Sequence, residues 1–219
     1  MSQIFHPSAN TFSRVSIFGA LFFVLGLGGI IYAIMNSPYV THVGVVVPQP
    51  IQFSHEHHVQ ALGIDCRYCH TGVEDSTFAG LPPTHTCMTC HSQIWTNSPM
   101  LAMVRDSYQT NQPIVWNRVH NVPDYVYFNH SVHLNKGIGC TNCHGEVNKM
   151  ALVYKAQPMT MQWCLECHRD PAKYIRPKDQ VFNMNYVPPA NQAELGDQLV
   201  KEYHVPNGIR LSECYICHR

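Results

Sequence analysis

The strongest constraint on this chain is a five-fold recurrence of C-x-x-C-H. Motif 1 is Cys66, Cys69 and His70, and motif 2 is Cys87, Cys90 and His91. Motif 3 is Cys140, Cys143 and His144, motif 4 is Cys164, Cys167 and His168, and motif 5 is Cys214, Cys217 and His218. The chain has ten cysteines, and the five motifs use all of them. This spacing attaches a c-type haem: two thioethers hold the porphyrin edge and the adjacent histidine reaches the iron. A disulfide framework gives no reason for a histidine after every second cysteine. Zinc shared between two C-x-x-C pairs leaves one pair of the five unmatched and the five histidines without a role. The sequence therefore predicts five covalently bound c-type haems.

The expected fold class follows. Fifteen prolines and thirteen glycines in 219 residues predict a loop-rich chain with short helices around the haems. Five porphyrins would supply much of the apolar interior that so short a chain lacks, so the apoprotein is expected to fold poorly. Formal charge is zero and 13% of residues are charged. Nothing in that balance calls for a nucleic-acid partner.

Residues 1–14 form a short polar arm, and residues 15–35 then run without a charge. At about 1.5 Å per residue these reach roughly 31 Å, enough to cross a bilayer core once. A cleaved signal peptide is the rival, but its apolar region usually spans about 7–15 residues before a small-residue cleavage site. The expectation is an uncleaved N-terminal transmembrane helix, preceded by a cytoplasmic arm (1–36). Arg14 precedes the span and no Lys or Arg follows until Arg67, which puts the N-terminus inside. Covalent haem attachment belongs to the outer, oxidising compartment, so the body is expected on the periplasmic side of the inner (cytoplasmic) membrane. Gly26, Gly28, Gly29 and Ala33 make the second half of the span slender, which suits packing against another membrane helix.

Residues 37–52, with Pro38, Pro48 and Pro50 around a β-branched run, read as an extended linker with at most one short strand. Beyond it the first cysteines of successive motifs are 21, 53, 24 and 50 residues apart. That alternation predicts haem pairs. Residues 53–127 form haem-binding repeat 1, residues 128–176 form repeat 2, and residues 177–219 form a C-terminal extension carrying the fifth haem. Each repeat opens with F-x-H-x-x-H: Phe53, His55 and His58 in the first, Phe128, His130 and His133 in the second. His204 stands ten residues before Cys214, as His130 stands ten before Cys140. The chain stops one residue past its last motif, so no further functional segment is expected after it.

His70, His91, His144, His168 and His218 are the expected proximal iron ligands. Function turns on the opposite positions, because an iron with two protein ligands relays electrons while an open one can bind a small molecule. His55, His58, His130 and His133, spaced i and i+3 in both repeats, are the first candidates for distal ligands. Met161, three residues before Cys164, is the expected fifth; a methionine ligand would raise that haem's potential above its bis-histidine neighbours. The alternatives are His120 and His204, with His85 and Met159 behind them. His57 lies off the pattern and is expected to be exposed. Candidates outnumber vacancies, which argues for a fully ligated relay.

The F-x-H-x-x-H segment followed by C-x-x-C-H resembles the class III multihaem cytochromes c. The connector W-N-R-V-H-N-V-P-D-Y-V-Y-F-N-H-S-V-H and the segment P-M-T-M-Q-W-C-L-E-C-H make the chain similar to the pentahaem cytochrome c subunits of alternative complex III, over nearly its whole length. This resemblance implies a bacterial membrane complex that oxidises quinol and passes electrons to a periplasmic cytochrome c or oxidase. The implied partners are an iron–sulfur subunit, polytopic quinol-binding membrane subunits and a monohaem cytochrome c. It also implies His55, His58, His130, His133 and the Met161 region as axial ligands, without assigning each to an iron. A related family, the multihaem subunits of menaquinone reductase complexes, runs electrons the opposite way.

The expected role is an electron-transfer subunit with no catalytic residues and no diffusible substrate of its own. Low charge suits a permanently bound subunit better than an electrostatically steered carrier. Two enzyme readings compete with it. A single-anchor multihaem quinol dehydrogenase would need one open haem at the membrane surface. A terminal reductase for nitrite or a similar oxyanion would commonly replace a proximal histidine, and all five motifs here keep theirs.

Overall fold

The computed structural model describes residues 4–218; the first three residues of the polar arm and Arg219 lie outside them. The chain divides into two compact units, Met1–Val43 and Gly44–Arg219.

The first unit is dominated by α1 (Ser8–Met35), a 28-residue helix with no buried residue and a mean hydropathy of 2.4 over its most apolar window. It is long and apolar enough to cross a membrane. Asn36 closes it, with both its backbone N–H and its side-chain amide donating to Tyr32 O. A single turn, α2 (Pro38–Thr41), follows within the stretch expected to be extended. Pro38 at its first position is pre-set for a helix, and Thr41 Oγ1 donates back to Ser37 O at 2.9 Å.

The second unit is loop-rich, with short helices and two isolated antiparallel bridges, Val46 with Tyr154 and Ile138 with Ile175. Every C-x-x-C-H motif begins on a helix. They are α3 (Cys66–Cys69), α4 (Thr84–His91), α7 (Cys140–His144), α8 (Met161–Arg169) and α11 (Cys214–Cys217), with α5 (Ala102–Thr110), α6 (His130–Asn135), α9 (Gln192–Glu202) and α10 (Gly208–Leu211) between them. Helical winding is what the chemistry needs, because cysteines at i and i+3 then lie on one face. Side chains start these helices where the backbone N–H groups lack partners. Asp65 accepts from Arg67 N and Thr160 from Trp163 N.

The two F-x-H-x-x-H segments wind differently. The second forms α6, while the first forms a π-helix over Glu56–Ala61.

The polypeptide core is small. Among the described residues the buried apolar side chains are Ile51, Val73, Leu101, Val104, Met150, Ile175, Val181 and Leu199. Ile51, Leu101 and Val104 cluster and carry Cys87 and Met88 of α4 on their surface, together with Ile114 and Trp116. Thr84 and Ser107 join their hydroxyls at 2.6 Å, which pins α4 to α5. In the C-terminal part α9 packs on the turn Pro171–Lys173 so closely that a Cβ at Gly196 would overlap Ala172 O. Eight buried apolar side chains are few for a unit of this size, and large apolar groups such as Tyr68, Phe78, Leu81, Ile94 and Val115 stay exposed.

Candidate haem-binding site

No disulfide joins any of the ten cysteines; eight are half-buried and two, Cys90 and Cys214, are exposed. Burial pushes Cys140 and Cys167 up to about 11 and Cys143 up to about 12. They are therefore neutral, and an uncharged thioether in their place would carry no desolvation cost. Among the described residues no group of three or more His, Cys, Asp or Glu side chains converges to hold a bare metal ion. The histidines are arranged in pairs instead.

Each segment uses its phenylalanine to set its two histidines. Phe53 stacks on His58 at 4.4 Å between ring centres, while His55 meets its edge at 4.9 Å. Phe128 stacks on His133 at 4.5 Å and meets His130 edge-on at 4.8 Å. Hydrogen bonds then fix the tautomers. His58 Nδ1 donates to Ser54 O at 2.8 Å and His133 Nδ1 donates to Asn129 O at 2.7 Å.

The same device recurs at four of the motif histidines. Nδ1 donates to Gly80 O from His70 (2.7 Å), to Ile94 O from His91 (3.1 Å), to Leu211 O from His168 (2.8 Å) and to Tyr125 O from His218 (3.1 Å). His130 Nδ1 donates to Thr77 O at 2.9 Å. A carbonyl can only accept, so the proton sits on Nδ1 and the lone pair is left on Nε2. Metal-binding histidines characteristically carry this second hydrogen bond.

Opposed rings complete the arrangement. His58 and His91 have ring centres 6.2 Å apart, His133 and His168 6.2 Å, and His130 and His144 6.5 Å. With a metal–nitrogen bond of about 2 Å, two imidazoles on opposite sides of one metal ion have centres roughly 6 Å apart. The donor set fits a haem iron at these three places. Burial also favours the neutral, ligating form: it lowers His144 to about 3, and His55 and His120 to about 4, with neighbouring histidines, and Lys155 beside His120, adding to the effect.

The remaining candidates are dispersed. His120 lies 4.3 Å from the His144 ring, edge to face, with its Nε2 buried and unpartnered. His55 has a buried, unpartnered Nδ1. Met161 opens α8 and is 66% exposed; Met159 before it has φ of 52°. His57, His85 and His204 are exposed. Sequence reasoning did not find Arg176. This buried guanidinium donates to Thr141 Oγ1 at 2.9 Å and Asn142 Oδ1 at 2.6 Å, the two middle residues of motif 3, and lies over the Tyr186 ring at 4.5 Å. Only Gly139, where a Cβ would overlap the guanidinium, lets it approach. No local pattern links positions 139 and 176.

Fold and site together define a cytochrome of the multihaem c type. Residues 132–219 match the Cytochrome c3 family, whose domain implies covalently bound c-type haems. The chain is also similar to the menaquinone reductase, multiheme cytochrome c subunit, of Nitratidesulfovibrio vulgaris (strain Hildenborough). Identity is 34% over 142 residues, spanning 55% of this chain and 67% of that protein. The chain belongs to the multihaem cytochrome c family.

Proposed function

We propose that this chain is the electron-transfer subunit of a membrane-bound quinone oxidoreductase complex and that it carries five c-type haems. The observation that carries this reading is the set of opposed imidazoles 6.2–6.5 Å apart, whose Nδ1 protons are mostly committed to carbonyl oxygens. When bound, the haem irons supply reversible one-electron chemistry. The chain's own part would be to orient the imidazoles, hold them neutral and, at motifs 2, 3 and 4, offer the iron two protein ligands.

In this reading the ten motif cysteines hold the haems and His70, His91, His144, His168 and His218 are the proximal ligands. His58, His130 and His133 are distal ligands for motifs 2, 3 and 4. His55 and Met161 serve the remaining irons, with His120 and His204 as substitutes. Residues 53–127 and 128–176 each hold two haems, and 177–219 holds the fifth. The apolar helix Ser8–Met35 anchors the chain in the cytoplasmic membrane with the haem unit on the periplasmic side. Partners are an iron–sulfur subunit, polytopic quinone-binding subunits and a monohaem cytochrome c. The relative from N. vulgaris supports a menaquinone reductase-type complex. The segments quoted from the connector and from α8 support alternative complex III, in which electrons run the other way.

The test is haem quantitation and intact mass on the purified full-length protein, with low-temperature EPR and magnetic circular dichroism. Five haems, all low-spin, are expected. A stoichiometric high-spin haem that shifts with nitrite or a quinol analogue would overturn the relay and make the chain an enzyme. The direction of flow is read by adding quinol to the isolated complex: reduction of the haems supports quinol oxidation, and inertness until an electron donor is supplied supports quinone reduction.

A further inference from the structure

The five motifs are not strung out in the order of the sequence. Motifs 1 and 2 touch through residues inside them, since Tyr68 OH and Thr89 Oγ1 are 2.9 Å apart. The segment preceding motif 1 also delivers His58 to His91 of motif 2. Motif 1 also meets motif 3. The Arg67 guanidinium lies over the Phe182 ring at 4.5 Å, and Val181 beside it accepts from Cys140 N at 3.2 Å. His130, opposite His144 of motif 3, is tied to Thr77, seven residues past motif 1.

Motifs 3 and 4 share one helix: α6 presents His130 to His144 and His133 to His168. Motif 4 meets the approach to motif 5, because His168 Nδ1 donates to Leu211 O at 2.8 Å. The close pass of Gly208, where a Cβ would overlap Arg169 O, holds the same two segments together. Exposure follows the same line. The two exposed cysteines are Cys90 in motif 2 and Cys214 in motif 5, and the other eight are half-buried.

We propose that the haems stand in space in the order 2–1–3–4–5, with electrons entering and leaving only at the motif 2 and motif 5 ends. This deepens the relay reading and rests on it. Each transfer takes one electron from one iron and reduces the next. A one-electron redox protein donates at one end and a second accepts at the other. In this order motif 3 stands in series between the two halves. The first haem in the sequence is therefore internal, and the second is a terminus.

The experiment is a cryo-EM or crystal structure of the full-length holoprotein in detergent, with haem content fixed beforehand by intact mass. Five haems in the order 2–1–3–4–5 support the proposal. Five haems in any other order, or a branched set, overturn it while leaving the relay reading standing; fewer than five overturn both. Series connection has its own readout. His130→Met changes one distal ligand, leaves the whole of motif 3 in place, and raises the potential of one haem into an electron trap. Stopped-flow oxidation of a haem set reduced beforehand should then slow at least about tenfold for the haems beyond the trap, equivalent to ~59 mV for a one-electron couple. Unchanged oxidation kinetics with the shifted potential in place would show a bypass and overturn the order.

Discussion

The two F-x-H-x-x-H segments reach one geometry by different backbones. Phenylalanine and histidine rings agree between them to about 0.1 Å in spacing, yet Glu56–Ala61 is a π-helix and His130–Asn135 an α-helix. The cause is one residue. Eight positions separate His58 from Cys66 and seven separate His133 from Cys140. The wider π turn absorbs the extra residue. Ile64 N then donates to His58 O at 3.1 Å, as Ile138 N donates to His133 O at 3.0 Å. Gly63 and Gly137, with φ of 69° and 81°, turn the chain identically into their motifs, at a conformation side chains rarely adopt. What is held constant is the placing of the histidines; the helix type is free to vary.

Of the positions at which the segments differ, the aligned pair Asp65 and Gly139 stands immediately before each motif and plays opposite parts. Asp65 caps α3 and pairs with Arg67 at 2.9 Å. Gly139 gives up the cap so that Arg176 can lie against the backbone.

The largest effects expected are at the matched histidines. His58→Ala and His133→Ala should each turn one low-spin haem high-spin, read by EPR as one haem equivalent. If only one of the two does so, the equivalence of the segments fails. Next is Gly139→Ala, which drives a Cβ into the Arg176 guanidinium. It should cost about 2–3 kcal/mol, measured by denaturant unfolding of the holoprotein. The converse change, Asp65→Gly, loses a cap and the exposed Arg67 pair and should cost less than about 1 kcal/mol.

Acid should act on both repeats. His55 and His120 are held at about 4 and His144 at about 3 by burial, below the ordinary 6.5. The unfolded chain binds more protons in this window, so the contribution of these three histidines to stability is fully present above pH 6.5 and is lost as pH drops towards 4 and then 3. Far-UV circular dichroism and the low-spin haem spectrum, followed together down to pH 3, check this; loss of both between pH 6.5 and 9 would contradict it. The smallest change is deletion of Ala61, which gives repeat 1 the length of repeat 2. An α-helical turn should replace the π-helix at a cost of about 1 kcal/mol or less, with the His58–His91 haem still low-spin.

Much of this was legible in the sequence because covalent chemistry is local. Five motifs, their pairing by spacing and the recurring Phe, His, His triplet need only short-range pattern, and the loop-rich, short-helix fold follows from them. Pairing across space was not legible. That His58 faces His91 while His130 faces His144 depends on how the 71–83 and 92–127 segments return. The carbonyls of Gly80, Ile94, Tyr125 and Leu211, which set the tautomers, have no side-chain signature. Arg176 reads as an ordinary surface cation until Gly139 is found against it. The π-helix was hidden because a one-residue insertion leaves the hydrophobic pattern almost unchanged.

The small number of buried apolar side chains among the described residues, eight, also bears on how such a protein is made. A polypeptide with so little interior of its own should close poorly before haem is attached, which leaves the motif thiols within reach of the attachment machinery. Closure then follows loading, and a partly loaded chain stays open to proteases. Cells holding such a protein would accumulate complete copies and few others, with degradation serving as the inspection step.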